Sequence, residues 1–91
     1  MGLRQRVDDE LQALGDGRDG PRLSVVRALA GAIKVREIEL ARPLEDVDVQ
    51  AVASELVKQR SALADQLRGQ GDAVAADLQA AEIRVLENYS A

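Results

Sequence analysis

"VASELVKQRSAL", residues 52–63, decides the fold. Its apolar residues recur at helical intervals. Val52, Leu56 and Leu63 share one face, and Val49 and Leu67 extend it in both directions. The helix that this spacing predicts has one anomaly. Between Leu56 and Leu63 the seam passes through Arg60, a charge where a leucine is expected.

Working outward, the flanking segments are helical in period too. Leu3, Val7, Leu11 and Leu14 step by four, four and three, which predicts a first helix over about 3–14. "GDGRDGP" (15–21) stops it, because Gly15, Gly17 and Gly20 break helix and Pro21 suits the first turn of the next one. The second helix covers about 21–41. On a helical wheel Leu23, Val26, Leu29, Ala30, Ile33 and Leu40 form a broad apolar sector, with Val25, Val35 and Ile38 outside it. A helix apolar nearly all round belongs at the centre of its fold. Glu37 falls inside the sector, and Arg27 and Lys34 sit together at its edge.

Pro43 closes this helix. The third helix, the one holding Arg60, opens near Glu45 and runs to about 68, with Asp46 and Asp48 at the positive end of its dipole. "GQGD" (69–72) ends it and supplies Asp72 as N-cap of a fourth helix, about 72–89. Val74, Leu78, Ala81, Val85 and Tyr89 share a face of that helix, with Glu82 at its flank. Four helices joined by short links predict an all-α fold, a small antiparallel four-helix bundle formed by residues 1–91 as one unit.

Composition agrees. A core of 12 Leu, 10 Val, 3 Ile and 15 Ala, with one Tyr and no Phe or Trp, suits close-packed helices and argues against a β-sandwich. The 91 residues hold no cysteine, which excludes disulfides and thiolate metal sites. No apolar run is long enough to span a membrane, and "MGLRQRVDDE" (1–10) has no apolar signal core, so a cytoplasmic location is expected. The "NYS" sequon at Asn88 is then read as chance. The net charge of −4 is unevenly spread: −2 over residues 1–17, +1 over 18–60 and −3 over 61–91. An anionic partner would meet the middle of the chain, although overall acidity argues against strong non-specific nucleic-acid binding.

Three charges now stand at apolar faces of three helices: Glu37, Arg60 and Glu82. A charge leaves water only when paired and hydrogen-bonded, and a guanidinium can hold two carboxylates. Arg60 is therefore expected to tie Glu37, Glu82 or both. The alternatives are an Arg60 that lies over Leu63 with its head in water, or one that binds a ligand. Catalytic groups are scarce. There is no His or Cys, and Ser24, Ser54, Ser61 and Ser90 have no visible base. "GDGRDG" lacks the preceding strand and following Lys-Ser/Thr of a phosphate loop, and "DVD" (46–48) lacks calcium-loop spacing.

"RLSVVRALAGAIKVREIEL" (22–40), "VKQR" (57–60) and "AAEIRVLENY" (80–89) resemble the GatB/YqeY family. This family comprises the small helical protein YqeY and the tail domain of the B subunit of tRNA-dependent amidotransferases. Arg22, Leu23, Ser24, Arg27, Ile33, Lys34, Glu37 and Ile38 match its first block in order. Lys58, Gln59 and Arg60 match the second, and Glu82, Ile83, Leu86 and Tyr89 the third. The resemblance implies a four-helix bundle followed by a three-helix bundle, of which this sequence carries only the first. Members continue past the tyrosine with leucine-proline, where this chain has Ser90 and Ala91. Positive charge usual in the family is lost at Ser61 and Asp72.

Two functions follow. The resemblance implies a non-catalytic accessory module that binds tRNA, associated with amidotransferase or aminoacyl-tRNA synthetase components and needing no cofactor. Its candidate contacts are Arg18, Arg22, Arg27, Lys34, Arg36 and Lys58, with Arg60 if it is not interior. The alternative is a protein-interaction or self-associating module, using apolar surface around Val25, Val35, Ile38 or Ile83. An independent enzyme is the least favoured reading.

Overall fold

The structure, a computed structural model, describes residues 2–15 and 20–90. The expected helix breaker Gly17 and the candidate Arg18 lie outside the described residues. Helix α1 spans Leu3–Ala13, α2 Gly20–Leu40, α3 Asp46–Gly69 and α4 Ala73–Glu87. Each lies within a few residues of the span that periodicity and Gly/Pro punctuation predict. None of the described helices is long and apolar enough to cross a membrane.

The helices form a small bundle. Helices α1 and α4 each pack against both α2 and α3, α2 touches α3, and α1 and α4 do not pack on each other. Thus α1 and α4 flank the α2–α3 pair. The core joins Val7 of α1, Val25, Val26, Leu29 and Ile33 of α2, Val49 and Ala53 of α3, Leu86 of α4, and Tyr89 beyond it. The first expected face holds: Leu3 and Val7 are buried, and Leu11 and Leu14 pack against the core.

Three expected faces are corrected. Val25, placed outside the apolar sector of α2, is fully buried, because three helices cover α2 and its inward arc is wider than one sector. On α4, Val74 is 83% exposed and Leu78 is exposed, while Ala76 is fully buried. Small residues line the inward side here. Ala64 of α3 and Ala76 of α4 are both buried, and alanine lets two helix backbones approach closely. On α3, Leu63 is likewise exposed and Ala64 buried.

The helix ends are made by specific bonds. Leu3 N donates to Asp46 Oδ1 at 2.8 Å, joining the starts of α1 and α3. Glu45 N donates to Asp48 Oδ2 at 2.9 Å, and Asp72 caps α4 by accepting from Ala75 N at 3.1 Å. Helices α2 and α3 end alike. After α3, Gly71 at φ 81° lets its own N–H reach Arg68 O at 3.0 Å and the Asp72 N–H reach Leu67 O at 2.9 Å. After α2 the same left-handed position is taken by Ala41, at φ 55°, with Ala41 N to Ile38 O at 3.3 Å and Arg42 N to Glu37 O at 3.2 Å.

An L-residue in this region carries about 1–2 kcal/mol of strain, against which glycine's extra chain entropy costs about 0.4–1 kcal/mol. Ala41→Gly is therefore expected to raise the melting temperature by about 4 °C, and Gly71→Ala to lower it by at least as much. Circular-dichroism melts of the two variants check this, and a lowered value for Ala41→Gly would contradict it.

Candidate functional site

Charge groups gather at three places, and each binds different elements together. The first answers the question posed by Arg60. It lies midway along α3, and its Nε approaches Glu82 Oε1 of α4 at 3.5 Å. The side chains are only 18% and 13% exposed. Glu37 is not part of this pair. It sits in the last turns of α2, beside the start of α3, far along the bundle from the middle of α3.

Removing one partner of so enclosed a pair strands the other, whereas removing both does not. Arg60→Met is expected to cost about 2 kcal/mol, and the Arg60→Met/Glu82→Met double variant less than about 1 kcal/mol. Urea titration of the cycle checks this; silence of Arg60→Met and Glu82→Gln would remove any structural role for the pair.

Glu37 forms the second place, with a partner that wheel analysis does not supply. Arg4 of α1 grips it by two prongs, Nε to Oε2 at 3.1 Å and Nη2 to Oε1 at 3.3 Å. Leu44 N, in the link between α2 and α3, donates to the same carboxylate at 2.9 Å. Arg4 also holds Asp8 at 2.6 Å. The Arg4 hydrogen bond first, and then the Leu44 N–H, hold the Glu37 carboxyl below the usual carboxylate range despite its partial burial. One carboxylate thus joins α1, α2 and the entry to α3.

The third place surrounds Tyr89, just past the end of α4. Its ring is buried, its hydroxyl donates to Glu10 of α1, and Glu10 also pairs with Arg22 of α2. The Arg6 guanidinium lies over the ring, 5.2 Å from its centre. Burial, and then the Glu10 carboxylate, push the Tyr89 hydroxyl well above its ordinary pKa. A surface pocket of about 390 Å³ opens beside these groups, with Asp9 and Asn88 completing its wall.

Glu10 was open to discovery in the sequence. It falls between Val7 and Leu14 on the apolar face of α1, the same criterion that singles out Glu37 and Arg60. Arg4 and Arg6 carry no such signal, since arginines at the edge of an amphipathic helix are ordinary.

Arg60 aside, the five basic candidates among the described residues do not converge. Arg22 is taken up by Glu10. Arg36 stands 3.8 Å from Glu39 and lines a second pocket with Asp48 and Glu55. Lys58 projects from the exposed back of α3. Arg27 and Lys34 alone share a face, exposed on α2 and in no ion pair among the described residues. Among those residues no group of three potential ligands could hold a metal ion.

The arrangement is chemically one of ties: carboxylates paired with guanidiniums between helices, with Arg27, Lys34 and Lys58 turned outward and in no ion pair among the described residues. No curated protein matches the chain. The Yqey-like protein family model matches residues 4–90, which takes in α1, α2, α3 and α4 and all three charge centres. The chain belongs to the YqeY-like protein family.

Proposed function

We propose that the chain is a non-catalytic helical accessory module that works by holding a protein partner. The observation that carries this reading is the dispersal of its cations combined with exposed apolar side chains. Tight hold on a phosphate backbone uses several cations on one surface, and of the candidate contacts among the described residues only Arg27 and Lys34 share a helix face. Large apolar side chains do stand in water, Val35, Ile38, Val74 and Leu78 among them. Such surface supports association with protein.

The tRNA-binding, amidotransferase-associated reading is the second. It is favoured by Arg27 and Lys34, two cations on one helix face that form no ion pair among the described residues. The charge ties at Glu37, Glu82 and Glu10 serve either reading by keeping the scaffold rigid.

The test is a titration of the purified chain into labelled bulk tRNA at low and near-physiological salt, with its mass followed by light scattering. The protein-partner reading expects no saturable binding at either salt. Saturable binding that weakens steeply with salt would replace it with the tRNA reading and make Arg27, Lys34 and Lys58 the first positions to change.

A further inference from the structure

We propose that the outward face of α2 is a docking stripe for an acidic amphipathic helix of a partner protein; this rests on the protein-partner reading and gives it a surface and a partner chemistry. At helical intervals α2 turns Arg27, Gly31, Lys34, Val35 and Ile38 to solvent. Three properties of the stripe point the same way.

The first is charge. Arg27 and Lys34 lie seven residues apart, two turns along one face. The only acid in α2 before Ile38 is Glu37, and that side chain is engaged by Arg4 and Leu44 N. Lys34 acts on Glu37 only through its field, and neither Arg27 nor Lys34 forms an ion pair among the described residues.

The second is apolar surface. Val35 is 58% and Ile38 80% exposed, at the end of the same stripe.

The third is Gly31. A glycine in mid-helix weakens the helix relative to alanine. A Cβ built there would meet no atom within 4 Å, so nothing within the described chain requires its absence. A missing side chain between two cations lets a partner's backbone come close.

These properties select the occupant. A phosphate backbone would use the cations and gain nothing from Val35 and Ile38. A second copy of the stripe, packed two-fold on the first, would set Arg27 and Lys34 against the same cations. A helix with two acids about two turns apart and apolar residues between them satisfies both halves at once, in the helix-on-helix mode of recognition.

The test uses the full chain against a displayed library of helical peptides. Each peptide carries two Asp or Glu seven residues apart, with leucines at the three- and four-residue intervals between. Peptides are expected to enrich, to shift the backbone amide signals of residues 27–38, and to lose about tenfold or more in affinity to Gly31→Leu and to the Arg27→Glu/Lys34→Glu pair. Gly31→Ala, which adds one methyl group into open space, is expected to raise the melting temperature by about 4–8 °C and so reports folding separately from docking.

Failure of peptides to enrich, or enriched peptides indifferent to Gly31→Leu, overturns the stripe. If enriched peptides lose binding instead to Val74→Glu on α4, the surface is wrong and the protein-partner reading stands. If no peptide binds and tRNA does so in a salt-sensitive way, both fall.

Discussion

Replacing Tyr89 with alanine is expected to destabilise the chain by about 3–5 kcal/mol, the usual cost of emptying a buried aromatic site. The whole fold of a chain this size is worth only about 5–14 kcal/mol. The melting temperature is expected to fall by at least about 15 °C, read by the loss of helical circular dichroism on heating. The size of the effect follows from what Tyr89 does. It is the only aromatic residue in the sequence, it belongs to the core cluster just past the end of α4, and its hydroxyl reaches Glu10 of α1. A drop of less than about 1 kcal/mol would mean that the end of α4 is not seated as described.

Tyr89→Phe separates the ring from the hydroxyl. It keeps the packing and leaves Glu10 paired with Arg22, so its cost is expected to be about 1 kcal/mol. The pH dependence adds a second check. The folded hydroxyl holds its proton well above the ordinary tyrosine value, because burial and Glu10 disfavour the tyrosinate. The unfolded chain releases that proton at about pH 10. The contribution is therefore fully present below about pH 10 and is lost as pH rises further toward the folded pKa. Tyr89→Phe removes this alkaline loss. Tyrosinate absorbance follows the event without overlap, because no other tyrosine or tryptophan is present.

Glu37→Ala is the second large effect, expected to cost about 2–3 kcal/mol. It releases Arg4 from its two-pronged grip and leaves the Leu44 N–H without its carboxylate. Here the pH dependence has the opposite sign. The folded carboxyl titrates below the ordinary glutamate value, so its contribution is complete above the unfolded value of about 4.3 and is lost as pH falls toward the folded one. Asp48 is lowered in the same sense, chiefly by its Arg42 hydrogen bond, and adds to the same acid limb. Urea unfolding at successive pH values measures the limb, which is expected to be shallower in Glu37→Gln. An unchanged limb would show that Arg4 and Leu44 do not hold the Glu37 carboxylate in solution.

Helix number and spans were legible because glycine, proline and the Asp72 cap punctuate this sequence strongly, and because the aliphatic period in α1 is regular. Inward faces were less legible where alanine makes the contact. A wheel weighted by hydrophobicity turns Val74 and Leu78 of α4 inward, yet Ala76 is the buried residue, since close approach of two backbones depends on small size more than on apolarity. The charges in the seams could be recognised singly and Arg60 matched to Glu82 as one of its options, but the partner of Glu37 could not be found. Arg60 and Glu82 emerge from the period of their own helices. The Arg4–Glu37 contact joins positions 33 residues apart, and no local pattern encodes which helix end meets which. The candidate cations could be named from the family resemblance, but their convergence could not, because that depends on how each helix is rotated in the bundle.

The contact between Glu10 and Tyr89 joins residues 79 apart, close to the two ends of the chain. The α3–α4 hairpin, in contrast, is closed by a short turn at Gly71. Loop-closure entropy therefore orders events in time: the hairpin can pair early, and the chain ends meet only after the intervening helices have been placed. Interactions formed that late are absent from the folding transition state, so loosening them speeds unfolding and leaves folding nearly unchanged. Loosening Glu10 or Tyr89 is thus expected to shorten how long the molecule stays folded, and loosening the hairpin to slow how quickly it gets there.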